Sequence, residues 1–92
     1  MKLTYDPEKD ARNIALRGIS FEEAVNFNFS DALIWEDDRE DYQEARFCAL
    51  GSIGNRLHAL VFTYRNETIR VISLRKANKR EVKRYENKTR IG

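Results

Sequence analysis

Two short turns in the second half of the chain constrain its fold more than any other feature of the sequence. Segments 45–53, 56–65 and 68–75 carry the β-branched, aromatic and other apolar residues that are typical of strands. Gly54-Asn55 joins the first two segments, and Asn66-Glu67 joins the last two. Because turns of two residues connect antiparallel neighbours, the three segments are predicted to form two successive β-hairpins.

The other elements are predicted from capping residues and apolar stretches. Residues 2–5 indicate an opening strand, and segment 6–18 begins with the helix-starting pair Asp-Pro and ends in glycine. Residues 20–23 have the spacing of a capping box and predict a second, short helix. The apolar stretch 32–35 adds a strand, and residues 78–81 have the capping spacing again, before a final helix.

The predicted order of elements is therefore β-α-α-β-β-β-β-α, which is an α+β fold. Consecutive hairpins require a mostly antiparallel sheet with the helices packed on it. Residues 1–92 are expected to form a single domain, because a second core would have nothing left to fill it. The apolar stripes predicted to pack the helices are Ala11, Ile14 and Ala15; Phe21, Ala24 and Val25; and Val82 and Tyr85.

Composition favours a cytoplasmic protein with no membrane association. Hydrophobic residues make up 41% of the chain, which is enough for a packed core. Cys48 is the only cysteine, so no internal disulfide can form, as is usual in a reducing compartment. No apolar run approaches the roughly 18 residues needed to cross a bilayer, and the first residues do not read as a secretory signal.

Charge is distributed unevenly along the chain, although the net charge is only +2. Residues 31–44 contain seven acidic side chains and one arginine, a net charge of −6. Residues 75–90 contain eight basic side chains and two glutamates, a net charge of +6. Clustered charge decides where a polyanion docks, so the basic C-terminal segment is the first indication of function.

The two turns also predict which residues share a face of the sheet. Counting outward from the turns places His58, Ser73 and Arg75 together, and Arg46 and Arg70 on the other face. Arg46 and Arg75 are therefore expected on opposite faces, although a slip of one residue would exchange them. The first face also carries Phe47, Ala49, Leu60, Phe62 and Val71; the second carries Cys48, Leu50, Ala59, Val61, Thr63, Ile72 and Leu74.

The run from Arg75 to Arg80 places four cations around the start of the last helix, where the helix dipole is already positive. Acidic residues would stabilise that position, so the cations indicate an anion site with phosphate as its ligand. The alternative is an ordinary solvated basic helix. Tyr85 either stacks an RNA base or packs in the core. Further cations that extend the patch are Lys83, Arg84, Lys88 and Arg90.

The remaining candidates have structural alternatives that stay open. Arg46 and Arg70 either bind phosphate or are exposed cations at the sheet edge. His58 is the only histidine, the side chain best suited to acid–base chemistry near neutral pH, but it equally fits a neutral structural role. The acidic stretch 36–41 favours a solvated loop, or a surface for a basic partner, over a magnesium site. No metal and no cofactor are expected.

Several blocks resemble the BrnT family of toxins from type II toxin–antitoxin systems, over nearly the whole chain. The most specific is the run from Ile72 to Glu81, and the block from Gly18 to Ala24 is nearly as specific. The other matching positions are Tyr5-Asp6-Pro7, Lys9, Asn13, Asp31, Asp41-Tyr42, Arg46-Phe47 and Ala49-Leu50-Gly51.

This resemblance implies a RelE-like fold and a ribonuclease that inhibits translation. It also implies neutralisation by a BrnA-like ribbon-helix-helix antitoxin, in a heterotetramer that binds operator DNA through the antitoxin. One position departs from the family, because Leu16-Arg17-Gly18 stands where the family often has Lys-His-Gly. Arg17 keeps the positive charge but cannot accept a proton near neutral pH.

The working hypothesis is a metal-independent endoribonuclease in which the 2′-hydroxyl of the RNA attacks the neighbouring phosphate. Arginines suit this reaction because one guanidinium holds two phosphoryl oxygens at once. One alternative is a weak or inactive toxin-fold protein that acts as antitoxin-binding co-repressor, and another is a DNA binder that uses helix 78–88. The candidate catalytic residues are Arg75, Arg46, Arg70, Arg17 and His58, and the candidate RNA-binding residues are Lys76, Lys79, Arg80, Lys83 and Tyr85.

Overall fold

The computed structural model describes residues 2–89; Met1 and residues 90–92, including Arg90 of the predicted basic patch, lie outside the described residues. The strands are β1 Lys2–Tyr5, β2 Leu33–Asp37, β3 Arg46–Ile53, β4 Arg56–Arg65 and β5 Thr68–Lys76. The helices are α1 Pro7–Arg17, a 3₁₀ helix Phe21–Asn26 and α2 Lys79–Thr89. The sheet order is β1-β5-β4-β3-β2, with β1 parallel to β5 and the other pairs antiparallel. The predicted α+β class and order of elements are confirmed, with the second helix in 3₁₀ form.

Both predicted hairpin turns are present. Gly54 has a φ of 63°, and Asn66 and Glu67 have φ values of 52° and 61°. A two-residue turn whose twist matches that of the flanking strands has positive φ at its first central residue, as at Gly54, or at both, as at Asn66 and Glu67. The register between β3 and β4 follows the prediction, with Phe47 opposite Phe62.

The register between β4 and β5 contains an irregularity that the turn positions do not predict. Phe62 pairs with Val71, but Val61 pairs with Ser73, which leaves Ile72 as an extra residue in β5. One inserted residue reverses the alternation of side chains beyond it. Each side chain at the end of β5 therefore lies on the opposite face of the sheet from the face that was predicted for it.

This bulge corrects the predicted faces. Leu74 is fully buried opposite Leu60, whereas Arg75 lies opposite Ala59 on the face that also carries Arg46. The prediction that Arg46 and Arg75 lie on opposite faces is wrong, because it assumed an uninterrupted ladder between β4 and β5.

The two faces of the sheet are covered to different extents. The core face packs against the 3₁₀ helix and against Phe27 and Phe29, which follow that helix. The other face, called the α2 face below, is covered at one end, where Ala77 packs with Leu50 and Ala59. Buried residues of the core face are Ala49, Leu60, Phe62, Ile69, Val71 and Leu74.

Helix α1 has the predicted caps at both ends but buries a different side from the predicted one. The predicted buried residues Ala11, Ile14 and Ala15 are exposed. Asn13 is buried instead, because its side-chain amide donates hydrogen bonds to the carbonyl oxygens of Ile19 and Leu74, at 2.9 and 2.8 Å. Polar contacts, rather than an apolar stripe, thus attach α1 to β5.

The 3₁₀ helix is fixed by a carboxylate from α1. Asp10 accepts hydrogen bonds from the Ser20 hydroxyl at 3.1 Å and from the Phe21 amide at 2.7 Å. Phe21 and Ala24 are buried as predicted, whereas Val25 is 73% exposed, so its predicted burial is wrong. The tight 3₁₀ turn eclipses residues three apart and therefore buries a narrower stripe than an α-helix would.

Candidate nucleic-acid interface

The part of the α2 face that α2 leaves uncovered is a strip across three strands. Cys48, Val61 and Ser73 lie side by side in it, each half-buried. Arginines lie beyond both ends: Arg46 on the side away from α2, and Arg75 beside α2. We call this strip the open strip, its Arg46 side the far end and its Arg75 side the near end.

A cavity of about 560 Å³ lies at the far end. Arg46 and Arg70 line it from β3 and β5, and Thr63 of β4 lies directly opposite Arg70. Lys9 of α1 adds a third cation, and the bulge residue Ile72 forms part of the wall. Within residues 2–89 these three cations form no ion pair. The carboxylates of Asp41 and Glu44 also line the cavity, and Glu44 is paired with Arg65 at 3.2 Å. The cations outnumber the acids, so the lining still favours an anion that enters the cavity.

The guanidinium of Arg46 is supported by side chains of residues 37–42. It lies 4.1 Å from the centroid of the Tyr42 ring, a cation–π contact. The Tyr42 hydroxyl donates to Asp37 at 3.3 Å, and the Arg39 guanidinium donates to the same carboxylate at 2.7 and 2.8 Å. The hydrogen bonds from Arg39, and to a smaller extent the one from Tyr42, lower the pKa of Asp37 to about 2. The loop was predicted to be solvated or to bind a basic partner, but one of its acids is buried and supports Arg46.

At the near end, Arg75 forms a bidentate ion pair with Glu81. Its Nη1 and Nη2 atoms lie 2.7 and 2.8 Å from the two carboxylate oxygens. Glu81 also accepts from the Asn78 amide at 2.9 Å, while its own amide donates to the Asn78 side chain at 2.8 Å, so the predicted capping box is confirmed. Hydrogen bonding to Arg75 lowers the pKa of Glu81. The predicted anion site at the start of α2 thus already contains a carboxylate of the chain.

Arg75 nevertheless keeps part of its hydrogen-bonding capacity. A guanidinium carries five N–H groups. Glu81 and the Lys76 carbonyl oxygen, at 3.3 Å, take up three of them on Nη1 and Nη2. Among residues 2–89 no acceptor is within hydrogen-bond distance of Nε. Nε and the second proton of Nη2 form the side fork of the guanidinium, which suits two phosphate oxygens.

A second cavity, of about 330 Å³, lies between Arg75, β2 and α2. Trp35 of β2 and Arg84 of α2 line it, with the Arg84 guanidinium 4.1 Å from the centroid of the Trp35 ring. Cys48 lies in its wall, and burial raises the pKa of that thiol. The cavity therefore combines a flat stacked pair with the unpaired fork of Arg75.

The structure brings three of the five candidate catalytic residues to one face. Arg70 lies opposite Thr63 and Arg75 opposite Ala59, four residues along β4, so they are separated by about 13 Å at about 3.3 Å per residue. Arg46 lies beside Thr63 at the far end. A single nucleic-acid strand that follows the open strip would meet all three.

The other two candidates lie elsewhere. His58 is 5% exposed on the core face, and its Nδ1 donates to the Arg56 carbonyl oxygen at 2.9 Å. Its predicted position beside Arg75 is wrong, because the bulge moves Arg75 to the other face. Arg17 is exposed in the last turn of α1 and lines neither of the two cavities.

The candidate RNA-binding residues divide into exposed cations and one packed tyrosine. The Tyr85 ring packs against the cluster beneath α2, and its hydroxyl donates to the Asp31 carbonyl oxygen at 3.0 Å. Of its two predicted roles, packing is confirmed, and base stacking stays a prediction. The side chains that face solvent at and along α2 are Lys76, Lys79, Arg80 and Lys83.

Sequence reasoning did not predict the contacts of four residues of this interface. Tyr42, Trp35, Arg84 and Glu81 act through partners that are distant in sequence or lie on other elements. Arg84 was predicted only as a further cation of the basic patch, and Glu81 only through its capping-box spacing from Asn78. That spacing predicts the helix cap but does not predict the ion pair with Arg75.

An α+β domain with an open strip between two clusters of arginines has the features of a protein that binds a single-stranded polyanion. The family model that matches residues 5–81 describes BrnT, the ribonuclease toxin of a type II toxin–antitoxin system. The chain belongs to this family, whose members are ribonuclease toxins with an antitoxin protein as partner. None of the curated proteins matches the chain. Within residues 2–89, no helix has the length and apolar character needed to span a bilayer.

Proposed function

We propose that this protein is an endoribonuclease that cleaves single-stranded RNA along the open strip and so inhibits translation. The observation that carries the proposal is the placement of Arg46, Arg70 and Arg75 on one face, at the two ends of an uncovered strip, in a member of a ribonuclease toxin family. An exposed face with fixed guanidiniums binds a strand through its phosphates.

The proposed chemistry uses the nucleophile of the RNA itself. The 2′-oxygen forms a bond to phosphorus, the bond from phosphorus to the 5′-oxygen breaks, and a 2′,3′-cyclic phosphate remains. The proton lost from the 2′-hydroxyl goes to solvent, and the leaving 5′-oxygen takes up a proton from solvent. Arg46 and Arg70 stabilise the charge that develops on the phosphoryl oxygens. Because guanidiniums supply that charge, the reaction is proposed to need no metal ion.

The exposed cations of α2 extend the binding path. Lys79, Arg80 and Lys83 face solvent next to the near end, whereas Lys76 is the exposed last residue of β5, opposite His58 of the core face. Each lysine or arginine that neutralises a phosphate of a single strand adds about −0.7 to the slope of log K against log salt concentration. RNA binding should therefore weaken steeply with salt.

The antitoxin is proposed to be a BrnA-like ribbon-helix-helix protein that neutralises the toxin in a heterotetramer and carries the complex to operator DNA. The motif blocks 18–24 and 72–81 support this proposal, together with the family's type II class. The same resemblance supports a RelE-like relationship of the fold and action in the cytoplasm.

Purified, antitoxin-free protein tests the proposal in buffer that contains EDTA. We expect cleavage of single-stranded RNA into fragments with cyclic phosphate ends, and none from an RNA with 2′-deoxyribose at the cleavage site. Arg12, exposed on α1, is the matched control position. The Arg12→Ala variant should cleave like the parent, whereas Arg46→Ala should not. Intact RNA at high excess of folded toxin would contradict the proposal and favour a non-catalytic antitoxin partner.

A further inference from the structure

The cavity at the near end is larger than phosphate binding by Arg75 requires. Its volume of about 330 Å³ falls within the range of small-molecule sites, which begins near about 300 Å³. Its walls combine apolar side chains with the charged pairs Arg75–Glu81 and Arg39–Asp37, and the carboxylates of Glu36 and Asp38 also line it. A flat ligand group would match the apolar walls, and one anionic group beside it would match the unpaired N–H groups of Arg75.

The stacked pair Trp35–Arg84 gives the cavity a surface of a particular kind. Unpaired RNA bases stack on aromatic rings and on guanidinium planes. Trp35 is itself packed against the buried cluster of Leu50, Ala59 and Ala77, so its ring is a fixed support for the Arg84 guanidinium. The platform therefore needs little ordering when a base binds.

We propose that this cavity is a subsite for one unpaired nucleobase, whose adjoining phosphate is bound by the side fork of Arg75. The base lies against the Trp35–Arg84 pair. The inference rests on the proposed function for its substrate, since RNA supplies both base and phosphate. Trp35 and Arg75 lie within residues 5–81, the segment that the family model matches, and Arg84 lies outside it.

Ligand binding at the subsite can be followed through the intrinsic fluorescence of the protein. Trp35 is the only tryptophan, so fluorescence excited selectively from tryptophan comes from the cavity wall alone. Adenosine 5′-monophosphate serves as the probe, with adenosine as the phosphate-free comparison. We expect saturable quenching by the nucleotide and at least tenfold weaker binding of the nucleoside. Cys48 gives a second readout, because a bound nucleotide should slow its alkylation.

Three variants separate the contribution of the stacked Arg84 plane from that of the phosphate bound by Arg75. Arg84→Ala should weaken nucleotide binding about tenfold, and Arg84→Lys should weaken it nearly as much, because lysine keeps the charge but loses the plane. Arg75→Ala should leave the nucleotide binding no more tightly than the nucleoside. Arg12→Ala, the loss of an exposed cation on α1, should bind as the parent does. Circular dichroism verifies that each variant is folded.

The outcomes distinguish this inference from the proposed function. If the Arg84 variants bind nucleotide as the parent does, or if tryptophan fluorescence does not respond while RNA is still cleaved, the subsite is wrong and the ribonuclease proposal stands. If nucleotide binding follows the expected pattern but RNA remains intact in EDTA, the proposed function fails and the cavity remains a nucleotide site.

Discussion

The two ends of the open strip present the same side chain in two electrostatic settings. Arg46 at the far end rests on the Tyr42 ring and forms no ion pair within residues 2–89. Arg75 at the near end is held by both carboxylate oxygens of Glu81. Carboxylates lie near Arg46 as well, but none is within ion-pair distance of it among the described residues, so Arg46 keeps more of its charge for an approaching phosphate than Arg75 does. The far end is therefore expected to stabilise charge in the reaction, and the near end to orient the RNA.

The largest expected effect is the loss of Arg46. Arg46→Ala should lower the single-turnover rate of RNA cleavage about 100- to 1,000-fold, as the loss of one charge-stabilising donor does in other active sites. Arg75→Ala should lower it only about tenfold, because Glu81 already offsets its charge. If Arg75→Ala costs as much as Arg46→Ala, the distinction between the two ends is wrong.

The support beneath Arg46 should have a smaller effect. Tyr42→Leu removes the ring under the guanidinium and should lower the cleavage rate about three- to fivefold, the value of an exposed cation–π contact. Tyr42→Phe keeps the ring, loses the hydrogen bond to Asp37, and should stay within about twofold of the parent. Equal losses in the two variants, measured with the same RNA, would show that the ring itself does not support Arg46.

Removing the negative charge of Glu81 should leave Arg75 without an ion pair, as Arg46 is at the far end. Glu81→Gln keeps an oxygen that can accept from the Asn78 amide, but removes the negative charge. We expect an uncleavable RNA to bind about threefold more tightly, with a salt slope steeper by up to about 0.7. Glu86→Gln makes the same charge change elsewhere on α2 and should shift binding less. No difference between the two variants would contradict the role given to Glu81.

The smallest effect concerns acid stability. The pKa of Asp37 is about 2 in the fold, against an ordinary value of 3.8, so the unfolded chain binds this proton more tightly. Asp37 therefore stabilises the fold above pH about 4, and this stabilisation is lost as the pH falls toward 2. Asp37→Asn should lower the melting temperature at neutral pH and flatten its fall in acid, compared with the exposed control Asp38→Asn. Melting curves of Asp37→Asn that parallel those of the parent from pH 5 to 2 would refute this.

Local signals in the sequence predicted most of the fold. The turn pairs Gly54-Asn55 and Asn66-Glu67 define the hairpins, because glycine and asparagine adopt the positive φ that begins each turn more readily than other residues do. The caps at Asp6 and Asn78 work in the same way, through side chains that bond to amides a few residues on. Each such signal spans only four or five consecutive residues, so it can be identified from a single sequence without knowledge of the tertiary contacts.

The candidate site was less predictable because it depends on contacts across the fold. The bulge at Ile72 has no turn residue to mark it, yet it alone decides that Arg75 shares a face with Arg46. The pairing of Asp37 with Tyr42 and of Trp35 with Arg84 depends on how a loop and a helix lie on the sheet. The basic patch is evident in the sequence as a cluster of lysines and arginines. The spacing of Glu81 from Asn78 predicts a helix cap but does not predict the ion pair between Glu81 and Arg75.

The most direct test of the central claim is an NMR map of where RNA binds. A short single-stranded RNA with 2′-deoxyribose at the cleavage site is titrated into ¹⁵N-labelled protein, and backbone amide shifts are followed. The account predicts shifts along the open strip and at both its ends, at Arg46, Cys48, Thr63, Ser73 and Arg75, while Ile14 and Leu16 of α1 stay unchanged. Shifts confined to α1, or to one end of the strip only, would contradict a single RNA path across the α2 face.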